Sequence, residues 1–403
     1  MVYLKDVNLK NKTVLLRCDF NVPVKNGVIL DNSKITRSLE TINYLLENGN
    51  RVIIMSHFGR VKKEEDLKNN SLKVVYEELK KYLNVTFIED NLNIEKYLDS
   101  NNCYLMENTR FTDLPVKRES KNNLELAKYW ASFADVFVID AFASAHRAHS
   151  STAGVATYLP TFIGLLMEKE LKNLEYLVTE HQDKEFVVIM GGAKVDDKIT
   201  IIENLLTRCD KLVITGGILN TFLKVLGKNV GNSLVSSDEE VLESVKKIIL
   251  SSRDKLYFSK RCVVKTEDGS VIEKDIDSVL DTDIIYDNIV DIKNIINEHS
   301  YVFLNGTCGM YEDSNYEMGT KKLLDDLIDT KSLVYVGGGD AAASVSHFNH
   351  DNSYTYISSG GGATLEYVAT KKLKALEYIK DNSINIEELM NAKKLVIKNK
   401  GNE

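Results

Sequence analysis

The chain has 403 residues, 43% hydrophobic and 27% charged, which is globular composition at a length that exceeds one ordinary core and predicts two domains. A formal net charge of −8 excludes a general nucleic-acid binder, which needs an overall basic face, although not a local basic pocket. Five dispersed cysteines without a CxxC pair argue against a disulfide framework or zinc site and for a reducing cytoplasm. No stretch approaches the roughly 20 apolar residues of a membrane span, and the start MVYLKDVNLKNK shows no secretory signal.

In chain order, four short apolar runs of the first half end abruptly in polar residues: TVLLRCDFN (13–21), RVIIMSHFGR (51–60), CYLMENTRF (103–111) and VFVIDAFASAHR (136–147). Between them, ITRSLETINYLLENG and LKVVYEELKKYL carry apolar residues at steps of three and four. Strand alternating with helix predicts βαβ units and a parallel sheet. LLMEKELKNLEYLVTEHQ (165–182) lacks Gly and Pro and predicts one amphipathic connecting helix. The second half repeats the scheme with EFVVIMGGAK (185–194), KLVITGGILN (211–220), SLVYVGGGDA (332–341) and TYISSGGGAT (355–364), each ending in glycines before a helical pattern. The expected fold is α/β, with two doubly wound, Rossmann-like parallel-sheet lobes joined by a helical hinge. The expected domains are 1–166, a hinge helix at 167–183, 184–368, and a Lys-rich tail at 369–403.

In doubly wound sheets, ligands bind beyond the carboxyl ends of the strands, so strand-end residues converge. In the first half these are Arg17, Asp19 and Asn21, then His57 and Arg60, then Arg110, then His146, Arg147 and His149. One arginine alone reads as a surface ion pair. Four at equivalent topological positions define a polyanion site, because guanidinium forks bind carboxylate or phosphate in pairs of charge-assisted bonds. Asp19 and Asn21 suit hydroxyls of the same ligand. In the second half the glycines at 191–192, 216–217, 337–339 and 360–362 let a backbone approach phosphates, with helix N-termini behind them. Lys194 and Lys198, spaced i and i+4, predict one helical face that reaches phosphates or is simply solvated. Asp340 caps the next helix or ligates Mg²⁺. The chain has no G-x-x-x-x-G-K-[ST] and no G-x-G-x-x-G after its first strand, which argues against a Walker-type ATPase and a dinucleotide dehydrogenase. A polyanion pocket in one lobe and a nucleotide platform in the other predict phosphoryl transfer across a cleft that closes by hinge bending.

RCDFNVPV (17–24), SHFGR (56–60), ENTRF (107–111), AHRAHSS (145–151), GGAKVDDKI (191–199), TFLK (221–224), GGGDAAAS (337–344) and SGGGATLE (359–366) stand in an order that resembles the phosphoglycerate kinases, over roughly residues 10 to 368. The resemblance implies reversible transfer between 1,3-bisphosphoglycerate plus ADP and 3-phosphoglycerate plus ATP, in glycolysis. It implies that the first lobe binds phosphoglycerate through Arg17, Asp19, Phe20, Asn21, Lys34, His57, Phe58, Gly59, Arg60, Arg110, His146, Arg147 and His149. Lys34, Arg147 and Lys198 would act on the transferred group. The nucleotide would meet Gly192, Lys194, Lys198, Gly217, Asn305, Glu312, Gly337, Gly338, Gly339, Asp340, Ala341, Gly360, Gly361 and Gly362. Asp340 would hold Mg²⁺ and Glu312 the ribose. A cytoplasmic monomer whose C-terminus returns to the first domain is also implied, with no nucleic-acid or membrane partner.

This chain departs from the family pattern at several points. Lys34 of DNSKITRS stands where the family has Arg, and loses the planar fork; Arg37 lies one turn on. Leu304-Asn305-Gly306-Thr307 replaces Trp-Asn-Gly-Pro, YDNIVD (286–291) replaces an Asp-x-Gly-Pro segment, and Ala341 replaces a Ser or Thr. These departures define a second reading, a relative that binds the same ligands without useful turnover.

Overall fold

The computed structural model describes residues 1–179 and 184–382. The chain forms two compact units that divide between Leu171 and Lys172, and the second runs to Lys371. The stretch Lys372–Asn382 belongs to the first unit.

The first unit is built on seven parallel strands in the order Val2–Tyr3, Thr161–Ile163, Val136–Ile139, Thr13–Arg17, Arg51–Met55, Cys103–Met106, Thr86–Ile88. The central runs VLL, VIIM, CYLM and VFVI are buried on both faces, as a sheet covered by helices requires. Ser33–Glu47 is the first covering helix. Its inward stripe is Ile35, Ser38, Thr41, Ile42 and Leu45, a 3.6-residue spacing that packs on Leu16, Ile54 and Val138. The helix Lys374–Asn382 closes this unit. It buries Ala375, Leu376 and Ile379, donates Ala375 N–H to Ala145 O at 2.9 Å, and pairs Tyr378 Oη with Thr157 Oγ1 at 3.0 Å. The expected tail beyond residue 382 lies outside the described residues. So do residues 180–183 of the expected hinge helix, which is helical over Leu165–Val178.

The second unit carries six parallel strands in the order Leu256–Phe258, Lys211–Ile214, Phe186–Met190, Tyr301–Asn305, Leu333–Val336, Tyr356–Ile357. The predicted glycine turns lead into helices Ile199–Leu206, Gly216–Val225, Gly339–His347 and Gly362–Thr370. Beside the main sheet stands a three-stranded antiparallel one with Arg261–Lys265 at its centre, between Val271–Asp275 and Ile284–Ile289. Its register slips at Val263/Val264, leaving Tyr286 as the extra residue of a bulge.

Candidate active site

In the first unit, Thr13–Arg17 has its sequence successor Arg51–Met55 on one side and the much later Val136–Ile139 on the other. This is a topological switch point, where the connections diverge and leave a crevice beyond the strand ends. Arg17 is the last residue of its strand and is fully buried. Its Nε donates to Ser151 Oγ at 2.8 Å, Nη1 to the Cys18 carbonyl, and Nη2 meets His57 Nδ1 at 3.1 Å. Beneath it the buried Glu119 carboxylate accepts Ser151 N–H at 3.0 Å and the Ser151 hydroxyl. Arg17 is therefore a fixed floor of the basic patch. Arg110 donates to Gly59 O, and Asn21 Oδ1 accepts Gly59 N–H at 2.9 Å, so the turn after Arg51–Met55 is tied to both neighbouring strand ends. Phe58 N–H is held at 3.1 Å by Asn108 Oδ1, while Phe20 N–H donates to Ser56 Oγ at 2.9 Å; both rings are buried and shape the patch by packing. Asn21, Arg60 and Arg147 stand exposed, and His57, Arg110 and His146 are half-buried.

The charges in this patch act on one another. Burial lowers the pKa of Arg110, and the nearby Arg17 and Arg147 lower it further. Burial drives His57 well below the ordinary imidazole value, Arg17, Arg110 and Lys34 push the same way, and only Asp19 opposes. His146 is lowered by burial and by Arg147. His149 is lowered to about 3 by burial and by Arg110, Arg17 and Arg147. The strand-end residues thus converge on one concentrated positive field, in which the three histidines are neutral near pH 7.

That field predicts an acid response. Between about pH 3 and 6.5 the unfolded chain binds a proton at position 149 and the folded chain does not, so stability from this site rises with pH and is lost on acidification. The slope is at most about 1.4 kcal/mol per pH unit. Buried Asp140 and Asp287, pushed up to about 6 and about 7, run the opposite way and mask the total. Urea denaturation of wild type beside His149→Gln isolates the term: the gap between them is expected to change with pH between 6.5 and 4.5 and to stay constant from 7 to 8.

Lys34 is the second residue of its helix, and its Nζ lies 2.9 Å from Asp19 Oδ2. Burial pushes the Asp19 carboxyl up, but the Lys34 ammonium and the Asn21 N–H work against it, and the pKa lies below its ordinary value. Arg37 faces solvent one turn further on.

In the second unit the switch point falls between Phe186–Met190 and Tyr301–Asn305. There the chains cross in near backbone contact: a Cβ on Gly191 would lie 2.1 Å from Thr307 O. Two cavities open at these strand ends and share Gly192, Ala193 and Asp340. The first, about 490 Å³, takes Gly217, Glu312, Leu234, Tyr286, Met310 and Tyr311 into its walls. The second, about 550 Å³, holds Lys194, Lys198, Asn305, Gly338 and Gly339 with Gly361 and Gly362, where helices Gly339–His347 and Gly362–Thr370 begin. Gly338 has φ +107°, and a Cβ there would come within 2.5 Å of Asn305 Nδ2, which itself donates to Gly337 O at 2.6 Å. Two helix N-termini, two lysines and small turns give this second cavity donors for an anion, beside the carboxylates of Asp196, Asp197 and Asp340, with Asp197 3.7 Å from Lys198 Nζ.

Several expected residues sit differently from the sequence reading. Lys194 and Lys198 do not share a helical face. The segment after Gly192 is a turn, closed by Lys198 N–H to Val195 O at 2.8 Å and pinned by Asp196 to Ser236 Oγ at 2.9 Å; Lys198 is the N-cap of helix Ile199–Leu206. Asp340 is an exposed first-turn residue and not the cap, which is Gly338. Gly337, Ala341 and Gly360 do not face the cavities: Gly337 packs on Phe303 and Thr364, Ala341 is fully buried, and Gly360 N–H is bound to Ser358 Oγ at 3.1 Å. Sequence reasoning missed the Glu119–Ser151 support and the apolar wall of the first cavity. The wall comes from the antiparallel strand Ile284–Ile289 together with Leu234, Met310 and Tyr311 and carries no motif; the paired serines of AHRAHSS were the only hint of the support.

The chain matches the family model described as phosphoglycerate kinase over residues 4–371. A phosphoglycerate kinase of Fusobacterium nucleatum is 41% identical over 395 residues, spanning 93% of this chain and 98% of its own length. One from Mycoplasmoides gallisepticum is 38% identical over 410 residues, with 93% and 97% covered. Among solved structures, phosphoglycerate kinase from Coxiella burnetii superposes with a TM-score of 0.81 at 35% identity, covering 94% of this chain and 98% of the other.

Proposed function

The chain belongs to the phosphoglycerate kinase family, and from that premise we propose how its own residues perform the reaction. The enzyme is a kinase that moves a phosphoryl group to and from a carboxyl group, between 1,3-bisphosphoglycerate with ADP and 3-phosphoglycerate with ATP. One observation carries the residue reading: Arg17, Arg110 and Arg147 acting on neutral histidines in one unit, and a lysine- and glycine-lined cavity joined to a mixed apolar one in the other.

Phosphoglycerate is the ligand of the first unit. Arg60, Arg110, Arg147 and His146 supply donors to its anionic groups, and Asp19 with Asn21 accepts from its hydroxyl. The nucleotide is the ligand of the second unit. The base and ribose fit the cavity holding Tyr286, Met310 and Glu312, and the phosphates fit the cavity holding Lys194 and Lys198. Asp340, exposed and bordering both cavities, fits a Mg²⁺ held by one carboxylate, water and phosphate oxygens. There Asp340 would hold the ion, which would supply positive charge against the phosphates. Lys34, Arg147 and Lys198 contribute positive charge to the transferred group, in a reaction that depends on positioning and neutralisation more than covalent catalysis. Burial of all five cysteines as free thiols supports a reducing cytoplasm; a monomer follows the family expectation.

A coupled assay with 3-phosphoglycerate and MgATP tests the reading, and no turnover above background at high enzyme overturns it. Lys34→Arg is expected to raise kcat roughly threefold to tenfold with KM changed less than about twofold, because a guanidinium can bind Asp19 and still present a second N–H pair. An unchanged kcat in parallel steady-state assays means that Lys34 already supplies the needed charge.

A further inference from the structure

Beneath the phosphoglycerate patch lies a buried polar pair, Glu119 and Ser151, that the reaction itself does not use. Glu119 is completely buried, and its two oxygens are taken by the N–H and hydroxyl of Ser151. A hydroxyl that donates to a carboxylate has its lone pairs turned outward, and Ser151 Oγ accepts from Arg17 Nε at 2.8 Å. Arg17 has donors only, so its Nη2 contact with His57 Nδ1 at 3.1 Å is a hydrogen bond that the imidazole accepts. A ring that accepts at Nδ1 carries its single proton on Nε2. Four residues from four separate segments thus determine one tautomer.

We propose that Glu119 and Ser151 are positioning residues which, through Arg17, hold His57 as a neutral imidazole with its proton on Nε2, presenting a fixed N–H donor to the phosphoglycerate anion. His57 is then a directional donor and not one more cation of the patch. The charges around it agree. Arg17 from its strand end, Arg110 from the turn Thr109–Asp113 and Lys34 from its helix all oppose a positive ring, and Asp19 alone favours one. Glu119 faces Arg17 and, at 4.0 Å, His149 Nδ1. Burial raises the pKa of Glu119, and Arg17 pulls it back, so the carboxylate compensates the guanidinium while the guanidinium orients the ring. Fixing a donor in advance removes the cost of ordering it when the anion arrives. The proposal rests on the phosphoglycerate reading of this patch.

Two measurements test it. In ¹⁵N-histidine-labelled full-length protein, with His57 assigned by comparison with His57→Gln, the ring is expected to be the neutral Nε2–H tautomer from pH 6 to 8. A His57 that protonates with a midpoint at or above 6.5, or that sits as the Nδ1–H form, overturns the proposal. In Glu119→Gln and Ser151→Ala the two ring nitrogen signals are expected to move toward each other as tautomers mix. Calorimetric affinity for 3-phosphoglycerate is expected to fall about tenfold in both, from loss of a preorganised hydrogen bond, with Glu119→Asp recovering part of it. Folded variants with an unchanged His57 spectrum overturn the positioning role even if affinity drops. If wild type shows the expected tautomer but does not bind 3-phosphoglycerate, it is the ligand assignment that fails.

Discussion

Asp340→Asn is expected to lower kcat roughly 100-fold or more in the MgATP direction while leaving the melting temperature within about 2 °C of wild type. Asp340 is exposed at the first turn of Gly339–His347 and borders both cavities of the second unit. The rate effect follows from its position. On the proposed metal role, this carboxylate would hold a divalent ion beside the phosphates, and several kcal/mol of charge stabilisation corresponds to two or more decades in rate. The stability effect is small because the side chain is solvated, and its loss removes only a favourable charge near a helix N-terminus, about 0.3–1 kcal/mol. Steady-state kinetics across a Mg²⁺ titration, beside a thermal melt, checks both. A kcat within about threefold of wild type at saturating Mg²⁺ would remove Asp340 from the metal role.

Gly191→Ala is expected to cost the second unit about 3 kcal/mol or more of stability. The added carbon would lie 2.1 Å from Thr307 O and 2.8 Å from Thr307 C and N, all backbone atoms. Neither partner is free to retreat. Gly191 N–H is bonded to Asn305 O at 2.8 Å, and the strands entering the crossing are paired from Phe186↔Tyr301 to Met190↔Asn305. For a unit of this size the loss corresponds to a fall of roughly 6–12 °C in melting temperature. Nucleotide affinity should fall with it, because the same crossing forms the floor of the cavities. By contrast, Gly362, which has nothing within 4 Å of an added Cβ, tolerates alanine sterically. Scanning calorimetry of the two variants side by side checks the contrast, and equal melting temperatures would refute the backbone argument.

The core strands of both units were legible because their runs are apolar throughout and stop at once on polar or glycine residues, and a doubly wound sheet brings such stops together. Arg17, His57, Arg110 and His149 follow directly from that rule. The rule failed where local spacing was read without its turn. Lys194 and Lys198 have helical spacing, but Gly192 at φ +126° and the Asp196–Ser236 bond bend the segment before the helix starts. The antiparallel sheet was not legible either. VIEKD at 271–275 is largely exposed and polar, so it has no apolar run to announce a strand. Tyr286 is aimed by a bulge, which depends on register against Arg261–Lys265 and not on its own neighbours in sequence. Glu119 was invisible for a further reason: a buried carboxylate in a loop is meaningful only once the residue above it, Arg17, is known to be buried as well.

The last described helix gives the chain a particular order of assembly. Lys374–Asn382 hangs from Ala145, one residue before His146, and belongs to the unit that begins at Met1. The second unit, Lys172–Lys371, is continuous in sequence and can finish as soon as it leaves the ribosome. The first cannot, because one of its helices is translated only after some 200 intervening residues. At translation speeds of about 5–20 residues per second, it waits roughly ten to forty seconds with the apolar bed for Ala375, Leu376 and Ile379 uncovered. The unit with the basic patch is completed last, and during that interval its uncovered apolar bed is exposed to chaperones and to aggregation.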